Sequence, residues 1–202
     1  MAATKIVLIG DGGIGSPTAL TLGKMGIVDL TIFDSDTVMP HNLPNTVFRF
    51  SDIGAPKVSA SKEILAEFTD ADVVAVPEMF DGSQPLEGIV ISAVDSMTAR
   101  IAMWESIRYN PMIPLYIEAR MGAEVLVIYT VVPTDPDEVE RYEKTLYTSA
   151  QALQAPCTEK SIFYTVMVIA GLIGCQVKKY LVGQSYKFKI VMDLVNTLFV
   201  VE

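Results

Sequence analysis

The stretch Gly10-Asp11-Gly12-Gly13-Ile14-Gly15-Ser16 places Gly10, Gly12 and Gly15 at the spacing G-x-G-x-x-G. In such a turn the first glycine permits a tight reversal, the second lets the backbone approach a phosphate, and the third lets the next helix pack close to the preceding strand. The leading amides of that helix are then available to an anion. Asp34 and Asp36 follow at the end of the next apolar run, where the ribose hydroxyls of a nucleotide would be met. Further on come Asn42 and Asn45 as amides for phosphate, Lys57 as a cation and Asp95 as a carboxylate able to hold magnesium. Transfer of an adenylyl group needs a cation on the triphosphate, a carboxylate for the metal and oriented donors. Hydride transfer to NAD needs none of the last three, although the glycine turn by itself suits either nucleotide.

These groups have to be positioned by the elements around them. Ile6 to Ile9 is a run of four apolar residues and predicts a strand buried on both faces. A helix is expected from Thr18 to Lys24 and a second strand from Asp29 to Phe33. Pro40 and Pro44 exclude a regular helix from Ser35 to Asn45. Ser51 to Pro56 marks a helix entry, with Ile64, Leu65 and Phe68 as the apolar stripe of that helix. Strands are expected at Asp72 to Val76, Ile89 to Val94, Leu115 to Glu118 and Glu124 to Val132, the last two joined at Gly122. Met97 to Arg108 predicts a helix. From Pro133 to Pro156 the chain is acidic and weakly periodic apart from a short helical pattern near Asp137 to Thr145, which suggests a mobile crossover loop. A long apolar helix, Thr158 to Leu181, and an antiparallel hairpin, Tyr186 to Met192 with Thr197 to Val201, complete the chain. The alternation implies an α/β fold: one Rossmann-like domain over residues 1–202, with a mainly parallel sheet, helices on both faces and the hairpin at its end.

Composition limits the partners. With 15 basic and 24 acidic side chains the formal charge is −9 and no basic run occurs, so a nucleic-acid partner is not expected. The longest apolar run, near Ile162 to Val177, contains Tyr164, Thr165 and Gln176, which predicts a buried helix rather than a membrane span. Met1 to Lys5 leads straight into the first strand, so no signal peptide is expected and the implied compartment is the reducing cytoplasm. Cys157, Cys175 and His41 cannot supply four zinc ligands, so no zinc is expected. Cys157 lies ahead of a helix, where the dipole favours thiolate; the bland alternative is a small residue closing a helix start. Other bland alternatives apply too. Asp95 could cap the helix from Met97, and Lys57 taken alone would be a solvated lysine. His41 would be a hydrogen-bonding loop residue, Cys175 and Trp104 core residues, and Glu118, Arg120 and Glu124 a surface charge cluster or a subunit contact.

Taken together, G-x-G-G-x-G-S, L-T-I-F-D-x-D-x-V, H-N-L-x-N, D-I-G-x-P-K-V and A-V-D-S-x-x-x-R resemble the ThiF/MoeB/HesA group, the bacterial relatives of ubiquitin-activating enzymes. The resemblance implies Mg-ATP-dependent adenylation of the C-terminal glycine carboxylate of a ubiquitin-like or sulfur-carrier protein with a Gly-Gly tail, by a two-fold homodimer. It implies that Gly10, Gly12, Gly13 and Gly15 cradle phosphates and that Asp36, or its neighbour Asp34, holds ribose. Asn42 and Asn45 would face the phosphates, Lys57 would bind them and Asp95 would hold magnesium. In relatives that pass the activated carboxylate to sulfur, a cysteine occupies the region of Cys157. The chain departs from the group at three places: no helix precedes the first strand, Asn45 follows Pro44 where the group has arginine, and paired C-x-x-C motifs are absent. Arg49, Arg100 or a partner's arginine would have to fill the cationic role; otherwise the chain is a binding-competent half of an assembly.

Overall fold

The computed structural model describes residues 4–147 and 163–202. Strand β1 (Lys5–Ile9) leads through the glycine turn into helix α1 (Gly15–Lys24), and β2 (Asp29–Phe33) follows. Short 3-10 turns at Pro40–Asn45 and Phe50–Asp52 precede α2 (Lys57–Phe68) and β3 (Asp72–Val76). Then come β4 (Ile89–Ser92), α3 (Met97–Ile107), β5 (Tyr116–Gly122), β6 (Val125–Val131), α4 (Pro136–Glu143), α5 (Phe163–Leu181), β7 (Lys189–Asp193) and β8 (Leu198–Val201).

All eight strands form one sheet in the order β3-β2-β1-β4-β5-β6-β7-β8. The pairings from β3 through β5 are parallel, and those from β5 through β8 are antiparallel. The mainly parallel sheet with an antiparallel end is therefore as expected, but the antiparallel part also takes in β6.

Alternation along β1 explains its unbroken apolar run. Ile6 and Leu8 point to one face and pack with Leu22 of α1, Leu65 of α2 and Ile169 and Ile173 of α5. Val7 and Ile9 point to the other and pack with Trp104 of α3, Tyr116 of β5 and Tyr142 of α4. A strand covered on both sides needs apolar residues at every position. Burial of Trp104 is as expected, its ring lying 4.5 Å from that of Tyr142 with its Nε1 donating to Glu143 (3.0 Å).

Several boundaries shift for local reasons. Helix α1 begins at Gly15, three residues ahead of the apolar pattern, because the turn feeds the helix directly. The β5–β6 reversal lies at Ala123, which takes φ +52°, rather than at Gly122. The short helical pattern expected near Asp137 to Thr145 forms α4 at residues 136–143, started by Asp135, whose carboxylate accepts from the amides of Asp137 and Glu138. The remainder of the expected crossover loop, from residue 148, lies outside the described residues. Ile64 and Leu65 are buried as expected, but Phe68 is 56% exposed at the end of α2, with the Lys24 ammonium over its ring. Cys175 is exposed on α5 rather than in the core. In α5 the fully enclosed Gln176 donates to Thr130 Oγ1 (2.8 Å) and to the Lys187 carbonyl (2.6 Å), a polar anchor inside an apolar helix. Among the described residues no helix is long and apolar enough to cross a membrane.

Candidate functional site

Strand order reverses beside β1, with β2 on one side and β4 on the other, so a crevice opens at the carboxyl ends of these strands. The glycine turn emerges there. It is tied to β2 by the Gly10 amide donating to the Phe33 carbonyl (2.8 Å), while the Ala93 amide donates to the Ile9 carbonyl (2.8 Å) from the β4 side. Gly10 takes φ +94°, and a Cβ there would lie 2.9 Å from the Ala93 oxygen. At Gly15 a Cβ would lie 1.9 Å from the Gly10 oxygen, whereas at Gly12 it would meet nothing within 4 Å. The first and third glycines are thus required by packing, and the second leaves the backbone open to an approaching group. A Cβ on Gly13 would lie 3.3 Å from the Asn45 oxygen, which puts Asn45 against the turn. Helix α1 has no side-chain cap and no acidic residue in its first turn, an arrangement that favours an external anion at its leading amides.

On the β2 side the acidic pair and the lysine converge. Lys57, the first residue of α2, is buried; its Nζ donates to Asp36 Oδ2 (2.7 Å) and lies 3.7 Å from Asp34 Oδ1. It is therefore not the solvated lysine that its position alone would suggest. The two aspartates differ. Asp34 accepts from the amides of Asp11 (2.7 Å) and Asp36 (2.8 Å), so it braces the turn, whereas the Asp36 side chain is 68% exposed and presents its carboxylate outward.

Asp11, inside the turn, received no role from sequence. It is fully enclosed, and the Ser61 hydroxyl that faces its carboxylate does not reach ordinary hydrogen-bond geometry. Burial chiefly, with the nearby Asp34 adding to it, pushes its carboxyl up to about 8; the Ser61 hydroxyl and the Lys57 ammonium act in the opposite direction. The available signal was a charged residue directly after a buried strand, inside an otherwise uncharged turn.

On the β4 side, Asp95 lies three residues beyond Ser92, exposed and outside every ion pair found among the described residues. The cap of α3 is Ser96, whose Oγ accepts from the Ala99 amide (3.1 Å), so the capping role does not occupy Asp95. No cluster of three or more metal-ligating side chains occurs among the described residues. A single free carboxylate does fit magnesium, an ion usually held by one or two carboxylates together with substrate phosphates.

The arginines suggested as substitutes are both engaged. Arg49 is spent on Asp52, Glu63 and Glu67. Arg100 lies against Glu118, which is fully buried and also receives Arg120 (2.7 Å) and the Tyr142 hydroxyl (2.8 Å). Glu118 and Arg120 therefore form an internal network, not a surface cluster. Asn42 uses its side-chain oxygen to accept the Met39 amide (2.8 Å), and His41 is exposed in the same 3-10 turn. Cys157 lies outside the described residues.

A mixed α/β sheet with a glycine turn at its switch point defines a nucleotide-binding class of fold. Residues 1–199 match the ThiF family, and the chain belongs to it. It is 29% identical over 104 residues to the sulfur carrier protein ThiS adenylyltransferase of Escherichia coli K12, covering 48% of this chain and 41% of that protein. It is 29% identical over 117 residues to the SAMP-activating enzyme E1 of Haloferax volcanii, covering 54% and 43%. The chain thus spans less than half the length of these relatives. The structure of E. coli MccB with ATP superposes with a TM-score of 0.75 over 99% of this chain and 64% of that one at 19% identity, a likeness of fold.

Proposed function

We propose that the chain binds Mg-ATP at the glycine turn and adenylates the C-terminal carboxylate of a small ubiquitin-like or sulfur-carrier protein, or of a peptide, with release of pyrophosphate. The observation that carries this reading is the placement of Lys57 and Asp95 at the ends of elements flanking one open glycine turn. Gly12 and Gly13 would lie under the phosphates with Asn45 beside them and Asn42 in the same turn. Asp36, supported by Asp34, would receive the ribose hydroxyls. Lys57 would leave Asp36 for the phosphates, offsetting the repulsion between them and the attacking carboxylate. Magnesium, held by Asp95 and the phosphates, would supply further charge neutralisation. No protein base is needed, since a carboxylate is already ionised near pH 7. Transfer of the activated carboxylate to Cys157 is a further step of this reading; a mass adduct that persists in Cys157→Ser would exclude it.

The test is calorimetry followed by exchange. Mg-ATP should bind and NADH should not, and ATP–pyrophosphate exchange should appear with a peptide ending in Gly-Gly. NADH binding without ATP binding would return the turn to a dinucleotide oxidoreductase.

A second reading, a non-catalytic partner subunit, is favoured by the arginines. All five in the chain are engaged: Arg49, Arg100 and Arg120 as above, Arg108 with Glu105 and Glu143, and Arg141 over the Phe188 ring. An arginine acting at the phosphates would then come from a second chain, in a homodimer or with a different partner. ATP binding without exchange, restored by adding a family member able to donate arginine, would support that reading.

A further inference from the structure

Among the described residues the Asp11 carboxyl is a charged group that the site's geometry leaves unexplained. It is fully enclosed, and the Ser61 hydroxyl that faces it from α2 stays outside ordinary hydrogen-bond geometry, so neither carboxyl oxygen is properly satisfied. A buried polar group left unsatisfied costs about 1–3 kcal/mol, and an ionised one more. The groups acting on it come from two elements. Asp34, at the end of β2, accepts the Asp11 amide (2.7 Å), and α2 supplies Ser61 and Lys57. Lys57 is shared, being bound to Asp36 (2.7 Å) and close to Asp34 (3.7 Å). Three carboxylates therefore stand around one ammonium, beside the turn that would receive a triphosphate. The first turn of α1 brings no acidic group to this place.

We propose that Asp11 is the proton-carrying positioning residue of the nucleotide pocket: it stays protonated while ATP is bound, so that binding from weakly alkaline solution takes one proton from solvent onto an Asp11 oxygen. This rests on the reading of the turn as an ATP site. The physical reason is charge balance. When Lys57 turns toward the phosphates, the acidic group loses its cation while new negative charge arrives, and each change favours the protonated carboxyl. In the free protein burial pushes the Asp11 carboxyl up to about 8, so at pH 9 ATP has to bind against its ionisation. For one proton released near pH 8 only in the free state, linkage makes the Kd for ATP rise about tenfold between pH 7 and pH 9.

The experiment is titration of Mg-ATP into the whole protein by calorimetry at pH 7, 8 and 9, in buffers of different ionisation enthalpy, for wild type and Asp11→Asn. Wild type should take up close to one proton per ATP at pH 9, with the tenfold loss of affinity. In Asp11→Asn the uptake should vanish and the pH 9 to pH 7 ratio of Kd should fall below about twofold. Every other group of the chain is the same in both proteins, so the difference isolates Asp11. Binding by wild type with no proton uptake overturns this inference alone, and needs no variant that folds. Equal uptake by both proteins also overturns it. Absence of ATP binding in both overturns it together with the proposed function.

Discussion

Arg100 Nε lies 2.7 Å from Glu118 Oε1 inside the core, and the same carboxylate accepts from Arg120 at both oxygens, from Nε at Oε1 (2.8 Å) and from a terminal nitrogen at Oε2 (2.7 Å). The Arg100 contact is an ion pair without hydrogen-bond alignment at Nε, and the guanidinium also donates to the Val94 and Ala119 carbonyls. One enclosed carboxylate thus joins α3, β5 and, through Arg120 to the Thr145 carbonyl (2.8 Å), the chain just beyond α4. Removing one member of a buried ionic group leaves uncompensated charge, typically at a cost of about 3–5 kcal/mol. Glu118→Gln should therefore lower the thermal midpoint by well over 5 °C in scanning calorimetry, by the usual relation for a domain of about 200 residues.

Asp95 and Ser96 are adjacent but should separate cleanly. Asp95→Ala should abolish magnesium-dependent pyrophosphate exchange with little change in thermal midpoint, since the side chain is exposed. Ser96→Ala removes the α3 cap and should cost about 1 kcal/mol of stability while leaving the magnesium dependence in place. Exchange measured against magnesium concentration, beside thermal melts, checks both.

Lys57→Ala should weaken Mg-ATP binding at least about tenfold in calorimetry, the scale of one charge-assisted contact to phosphate. Retained affinity would detach Lys57 from the triphosphate.

The glycines of the turn should also respond differently. Gly15→Ala drives a Cβ to 1.9 Å from the Gly10 oxygen, so the turn and the start of α1 must shift and the melting temperature should fall. Gly12→Ala meets open space, so the melt should be unchanged while ATP affinity falls, because the added methyl occupies the phosphate's approach.

Asp11 makes a prediction about stability that needs no nucleotide. Its carboxyl is raised to about 8 in the folded protein, against about 3.9 in the unfolded chain, so the folded state holds the extra proton across that window. Its contribution is complete below pH 4 and is lost as pH rises through 8. Urea midpoints of the wild type should fall between pH 5 and pH 8 more steeply than those of Asp11→Asn.

Local pattern determined a good part of this protein. An unbroken apolar run and G-x-G-x-x-G spacing announce a doubly covered strand and its turn, because both are consequences of neighbours in the chain. The alternation of strands and helices likewise dictated the parallel sheet. The motifs from Gly10 to Asp95 pointed to the ThiF family for the same reason: each is a short segment with its own chemistry. What only the tertiary structure decided are facts about groups far apart in sequence. Burial separated Glu118 from the surface cluster it resembled, and Arg100 and Arg49 from the role of free cation. The capping of α3 by Ser96 released Asp95, and convergence of β1, β2 and α2 turned Asp11 from an unremarked turn residue into an enclosed carboxyl. Desolvation and ion pairing depend on what packs around a group in three dimensions, and no spacing along the chain encodes that directly.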